Sequence, residues 1–162
     1  MSFLQPKMEI VMKAEQFVVS PKTYKPALNV LGVSVTVLAS NVQTQGYEIT
    51  LQSGDEGVGP PAHRHDWDES FFVLRGSVEL SINGDSSLYG PGTLVHLPAG
   101  TVHGYRFGAG GGEMFEITGK GGNATRMFAN VSREVPPGPP DVPVLTTLFQ
   151  KNGVTLMLGE AR

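Results

Sequence analysis

Short apolar runs broken by Gly and Pro extend from residue 11 to residue 118, and most of them have the period of strands rather than helices. Val11 to Val19 predicts a first strand, ended by Ser20-Pro21. Leu28 to Ala39 is rich in β-branched residues, and Val33, Val35 and Val37 alternate with Ser34 and Thr36, which predicts another. Tyr47, Ile49 and Leu51 alternate with Glu48, Thr50 and Gln52 in the same manner. A Gly/Pro stretch from Gly54 to Pro61 separates these from two runs, Ser70 to Arg75 and Ser77 to Ile82, that flank Gly76. Asn83-Gly84-Asp85 is a hairpin turn signal. Further strands are expected at Thr93–Leu97, Val102–Phe107 and Glu113–Thr118, with a loop over Gly108 to Gly112 between the last two. Eight or more short strands at this spacing predict an all-β sandwich or jelly-roll barrel.

After Lys120 the pattern changes. Ala124 to Glu134 predicts a short helix with Met127, Phe128 and Val131 on one side. A Pro-rich turn, Pro136 to Pro140, follows. Asp141 then caps an expected helix through Leu145, Leu148 and Phe149, stopped by Asn152-Gly153, and Val154 to Leu158 reads as one last strand. The 162 residues fit one domain, 1–162, with a barrel core at about 28–118 and a C-terminal tail at about 119–162 packed on the outside of the barrel.

Composition narrows the partners. Hydrophobic residues make up 40% and charged residues 17%, a globular rather than disordered balance. The net charge is −3 and the basic residues are scattered, so the electrostatic footprint of nucleic-acid binding is missing. No apolar run approaches the ~20 residues of a membrane span. The N-terminal MSFLQPKMEIVMK is interrupted by Lys7, Glu9 and Lys13 and does not read as a secretory signal, so a cytoplasmic protein is expected. With no cysteine in the sequence, any metal must be held by nitrogen and oxygen.

Residues 57–76, GVGPPAHRHDWDESFFVLRG, concentrate the candidate chemistry. His63 and His65 stand two apart and project from one face of an extended strand. Glu69 keeps that parity if the chain between stays extended. An isolated histidine is usually a hydrogen-bonded packing residue. A carboxylate heading an apolar strand beside two histidines is different, because burying it is expensive unless it is paired or coordinated. His103 follows a Pro98-Ala99-Gly100 turn that could return a later strand beside the first. His96 lies outside this pattern. Asp66 and Asp68 fit a solvated barrel mouth, and Trp67 fits either that mouth or the outer sheet.

The spacing is similar to two motifs of the cupin superfamily. Gly57, five residues, His63, one, His65, three, Glu69, six, Gly76 resembles the complete first motif. Gly92, five residues, Pro98, one, Gly100, two, His103 resembles the second, and only its final Asn is replaced, by Phe107. The resemblance implies a double-stranded β-helix, the jelly-roll cupin barrel, holding one divalent transition-metal ion through His63, His65, Glu69 and His103. Iron, manganese, nickel, cobalt, copper and zinc all suit that donor set. The phrases NVLGVSVTVLAS and GPPAHRHDWDES, with the late FANVSREVPPGPPDVP, resemble single-domain relatives of quercetin dioxygenases. That resemblance implies an oxygenase acting on a flavonol or other enolisable aromatic small molecule, with Glu69 as both ligand and catalytic base. Phe71 and Val73 share the strand parity of Glu69, and Tyr105 and Phe107 that of His103, so these four are the expected substrate-pocket residues. Cupins also include isomerases, epimerases and non-enzymatic binding modules, which stay open as alternatives. A sugar-phosphate ligand would need cavity cations, for which Arg64, Arg75 and Arg106 are the nearby candidates. A homodimer is expected from exposed strand edges and from the habit of the family.

Overall fold

Two long bent strands organise the protein, whose computed structural model describes residues 13–159. The strands are β1 (Leu28–Val30), β2 (Val33–Ala39), β3 (Glu48–Gly54), β4 (His63–His65), β5 (Glu69–Ile82), β6 (Asp85–Tyr89), β7 (Leu94–Leu97), β8 (His103–Thr118) and β9 (Val154–Leu156). The helices are α1 (Asn41–Thr44), α2 (Ala124–Glu134) and α3 (Val142–Lys151). Every strand pairing is antiparallel. The order β1-β2-β3-β8-β4-β9 forms one curled sheet, and β5 continues it by pairing with β8, β6 and β7. This is the all-β jelly roll expected from the strand pattern.

The bends come from glycine. β5 spans 14 residues and β8 spans 16, and they pair along nearly their full length. Midway, the register shifts on either side of Gly76, which has φ 68°. A Cβ on Gly76 would sit 2.1 Å from the Gly111 carbonyl oxygen, and one on Gly112 would sit 2.8 Å from the Phe107 ring. Only glycine lets two bulged strands approach this closely. The bulges also switch parity. In β5 the buried set passes from Glu69, Phe71 and Val73 to Val78 and Leu80; in β8 it passes from His103, Tyr105 and Phe107 to Met114, Glu116 and Thr118.

Several elements differ from the sequence reading. Lys13 to Val19 forms no strand and lies exposed, while Val11 and Met12 fall outside the described residues. With no partner, its apolar residues alone do not make a strand. Leu28 to Ala39 is a hairpin rather than a single strand: Leu31 and Gly32 both have positive φ (53° and 89°), reversing the chain. The Gly108–Gly112 run is part of β8 rather than a loop, held by pairing of Gly112 with both Gly54 and Gly76.

Both predicted tail helices form, and Asp141 accepts a hydrogen bond from the Val144 N–H at 3.1 Å. The tail does not simply coat the barrel. α2 packs on β1, and β9 joins the sheet beside β4 with His63 opposite Leu156 and His65 opposite Val154. Two polar anchors fix the helices. The buried Glu48 carboxylate accepts hydrogen bonds from the backbone N–H and hydroxyl of Thr125 in the first turn of α2. Asn152, after α3, accepts from the side chains of Asn123 and Asn130 and donates to the Leu148 carbonyl. No helix among the described residues is long and apolar enough to cross a membrane.

Candidate metal centre

Three strands deliver the four expected ligands to one point. β4 supplies His63 and His65 from one face, the first residue of β5 supplies Glu69, and the first residue of β8 supplies His103, paired opposite His63. All four side chains are buried, and one ligand atom from each lies within 4.8 Å of all the others. His65 Nε2 is 3.2 Å and His103 Nε2 is 2.6 Å from Glu69 Oε2.

The backbone has already chosen the tautomers. His63, His65 and His103 each place Nδ1 at 2.8, 3.0 and 2.9 Å from the carbonyl oxygens of Pro61, Trp67 and Thr101. A carbonyl only accepts, so each Nδ1 carries the proton and each Nε2 is left as the inward donor atom. His103 Nε2 is buried and, despite its closeness to Glu69, lies off hydrogen-bonding geometry with any group. An orphaned imidazole nitrogen among two other imidazoles and a carboxylate fits a metal ion of intermediate hardness. These residues could hold one such ion.

Electrostatics in the metal-free protein are consistent with that reading. Burial, and then the charge of His103, push His63 down to about 4. Burial alone would raise Glu69, but the imidazoles of His103 and His65 outweigh it and hold the carboxyl at about 2. For His103 the Glu69 carboxylate outweighs burial and raises the imidazole above its usual range. An ion entering this site therefore competes with a proton on His103.

A narrow cavity adjoins the cluster. Of the expected pocket residues, Phe71 and Tyr105 line it. Val73 and Phe107 do not; both are fully buried in the core, where the Phe107 ring lies 5.5 Å from that of Tyr105. Trp67, the single tryptophan, lies inside rather than on the outer sheet: it is buried, lines the cavity and stacks on His65 at 4.3 Å and 6°. His96 is exposed and bonded to the Ser70 hydroxyl, and Asp66 and Asp68 are exposed. Arg64, Arg75 and Arg106 point to solvent, and among the described residues no lysine or arginine lines the cavity.

The cavity also holds a polar group that the sequence did not indicate. Glu116 and Gln52 are buried and line it. The Gln52 amide donates to Glu116 at 2.7 Å and to the Thr50 hydroxyl at 3.1 Å, while Gln52 Oε1 accepts from the Tyr105 hydroxyl. Burial, and then the negative charge of Glu69, push the Glu116 carboxyl well above its usual range. The folded chain thus keeps a proton on Glu116 that the unfolded chain releases above about pH 4.5. Stability linked to this group is present below that pH and is lost as the pH rises toward the folded-state value. Metal-free Glu116→Gln is therefore expected to gain melting temperature relative to the parent as pH goes from 4 to about 8. A difference that stays constant across the range would contradict this assignment.

Residues 47–117 match the cupin domain family. Quercetin 2,3-dioxygenase of Bacillus subtilis (strain 168) is 35% identical over 101 residues, 60% of this chain. The chain spans only 30% of that relative's length. Among solved structures, an RmlC-like cupin from Shewanella frigidimarina superposes with a TM-score of 0.59 at 15% identity, over 68% of this chain and 95% of that one. The polyketide cyclase RemF from Streptomyces resistomycificus gives 0.56 at 21% identity, over 65% and 80%. Both likenesses concern the fold. Taken with the two bent strands and the placement of both histidine motifs at their ends, the match makes residues 47–117 a cupin domain.

Proposed function

We propose that this protein is a metal-dependent oxygenase of the quercetin dioxygenase type, acting on a flavonol or another enolisable aromatic molecule. The observation that carries the reading is the convergence of three oriented Nε2 atoms and one carboxylate beside a largely apolar cavity that no lysine or arginine among the described residues lines. The 35% identity to a quercetin dioxygenase supports it. A divalent ion held at the cluster would supply positive charge to stabilise an enolate or phenolate oxygen.

The chain's own residues do the rest. His63, His65 and His103 would hold the ion, their rings fixed by the three carbonyls behind them. Glu69, held at about 2, is ionised at neutral pH and can take the substrate's hydroxyl proton on a carboxylate oxygen. Such a depressed carboxylate is a weak base, so it accepts a proton only from a hydroxyl made acidic at the site. Phe71 and Trp67 offer ring faces to a flat substrate and keep water away from the deprotonated oxygen. The lack of lining cations disfavours an isomerase acting on a sugar phosphate.

The test loads separate samples with iron, manganese, nickel, cobalt or copper and follows flavonol absorbance and dissolved oxygen together. The expected result is matched loss of both with at least one metal. Absence of oxygen uptake with every metal, across a panel of flavonols and related enols, rejects the oxygenase reading and moves a non-enzymatic binding role to first place.

A further inference from the structure

The cavity is built from two sources. Three of the four ligands, His63, His65 and Glu69, line it together with Gln52, Phe71, Tyr105 and Glu116, and all of these lie inside the span that matches the cupin family. The remaining wall lies outside it. The β1–β2 hairpin contributes Val30, Leu31, Val33 and Val35, and the tail helices contribute Ala124, Met127, Phe128 and Phe149. All of these are apolar, so this part of the wall can discriminate only by shape and apolar contact, not by charge or hydrogen bonding.

We propose that α2 and α3 form the substrate-selecting wall, with Met127, Phe128 and Phe149 contacting the ring system of a molecule whose oxygen reaches the His63–His65–Glu69–His103 cluster. The inference rests on the reading that an aromatic molecule binds at that cluster, whether or not it is oxidised there. Three features support it. Met127, Phe128 and Phe149 are buried at 6%, 7% and 2% exposure while lining the same cavity as the ligands, so they are walls and not surface neighbours. The helices are tied at fixed positions relative to the cluster: α2 by Glu48 on β3, and α3 through β9, which pairs with the ligand strand β4. A wall carried on helices so anchored can select by fit. Finally, none of the three belongs to an element that carries a ligand, so the wall can change without moving the metal site. The class of ligand follows: a flat, largely uncharged ring system with one ionisable oxygen, and no phosphate or second carboxylate.

The test uses the full chain loaded with cobalt(II) and two probes, 3-hydroxyflavone and azide, titrated by absorbance. Azide needs only the metal; 3-hydroxyflavone needs the wall as well. Phe128→Leu is expected to weaken 3-hydroxyflavone by about 10-fold, from lost aromatic contact, while azide affinity and cobalt content stay within about twofold. Phe149→Leu, on the other helix, is expected to behave alike, and it decides the matter if Phe128→Leu loses cobalt. Equal weakening of both probes, no change in either, loss of cobalt in both variants, or a parent protein that binds azide but not 3-hydroxyflavone would each overturn the inference. Flavone binding without oxygen uptake removes the oxygenase reading and leaves this one standing. Oxygen uptake whose KM is unmoved by Phe128→Leu does the reverse.

Discussion

Replacing His103 by alanine is expected to cut bound metal by more than 10-fold, whereas His96→Ala leaves the metal content at the parent level. His103 is the one ligand on β8. Without it, two histidines on a three-residue strand and one carboxylate must hold the ion. His96 sits on the outer face, bonded to Ser70, and touches none of this. Inductively coupled plasma mass spectrometry after dialysis gives the answer directly. Parent-level metal in His103→Ala would remove the four-ligand assignment.

Glu69→Gln is expected to lower the rate of flavonol oxidation by about 100-fold or more per bound metal ion. The amide keeps the size and one oxygen donor but cannot take the hydroxyl proton. It also removes the charge that raises His103, so that imidazole should give up its proton more readily and metal binding should survive in part. The two effects are read separately, metal by mass spectrometry and turnover normalised to it. Turnover per metal within about threefold of the parent would reject Glu69 as the base while leaving it as a ligand.

The ligand set was legible because its spacing is local. His63, His65 and Glu69 lie close in sequence, and the alternation of buried and exposed residues from 63 to 69 keeps the expected parity even though the chain bends at Asp66 and Trp67. The return of His103 was legible from the turn before it. Glu116 was not, and the reason is physical: the glycine run that separates it from His103 contains a parity switch, so counting twos from His103 puts Glu116 on the wrong face. Gln52 was hidden differently. Its strand alternates cleanly, but the polar set Glu48, Thr50 and Gln52 faces inward and Ile49 and Leu51 face outward, the reverse of the usual rule. The expected pocket positions Val73 and Phe107 share the right parity, yet sit deeper than the cavity reaches, and periodicity carries no information about depth. The tail helices were predicted with their boundaries, but their placement on the cavity depends on contacts with β1, Glu48 and, through β9, β4, all far away in sequence.

That last strand sets a condition on biosynthesis. β4 pairs with β8 at one position, His63 with His103, and with β9 at three. Most of the ladder that steadies the two ligand histidines therefore comes from residues translated more than eighty positions later. A nascent chain still missing Val154–Leu156 holds β4 by that single registered pair, and closing so long a loop adds an entropic cost that only the completed sheet offsets. The ladder behind the two ligand histidines is therefore complete only once residues 154–156 have joined the sheet.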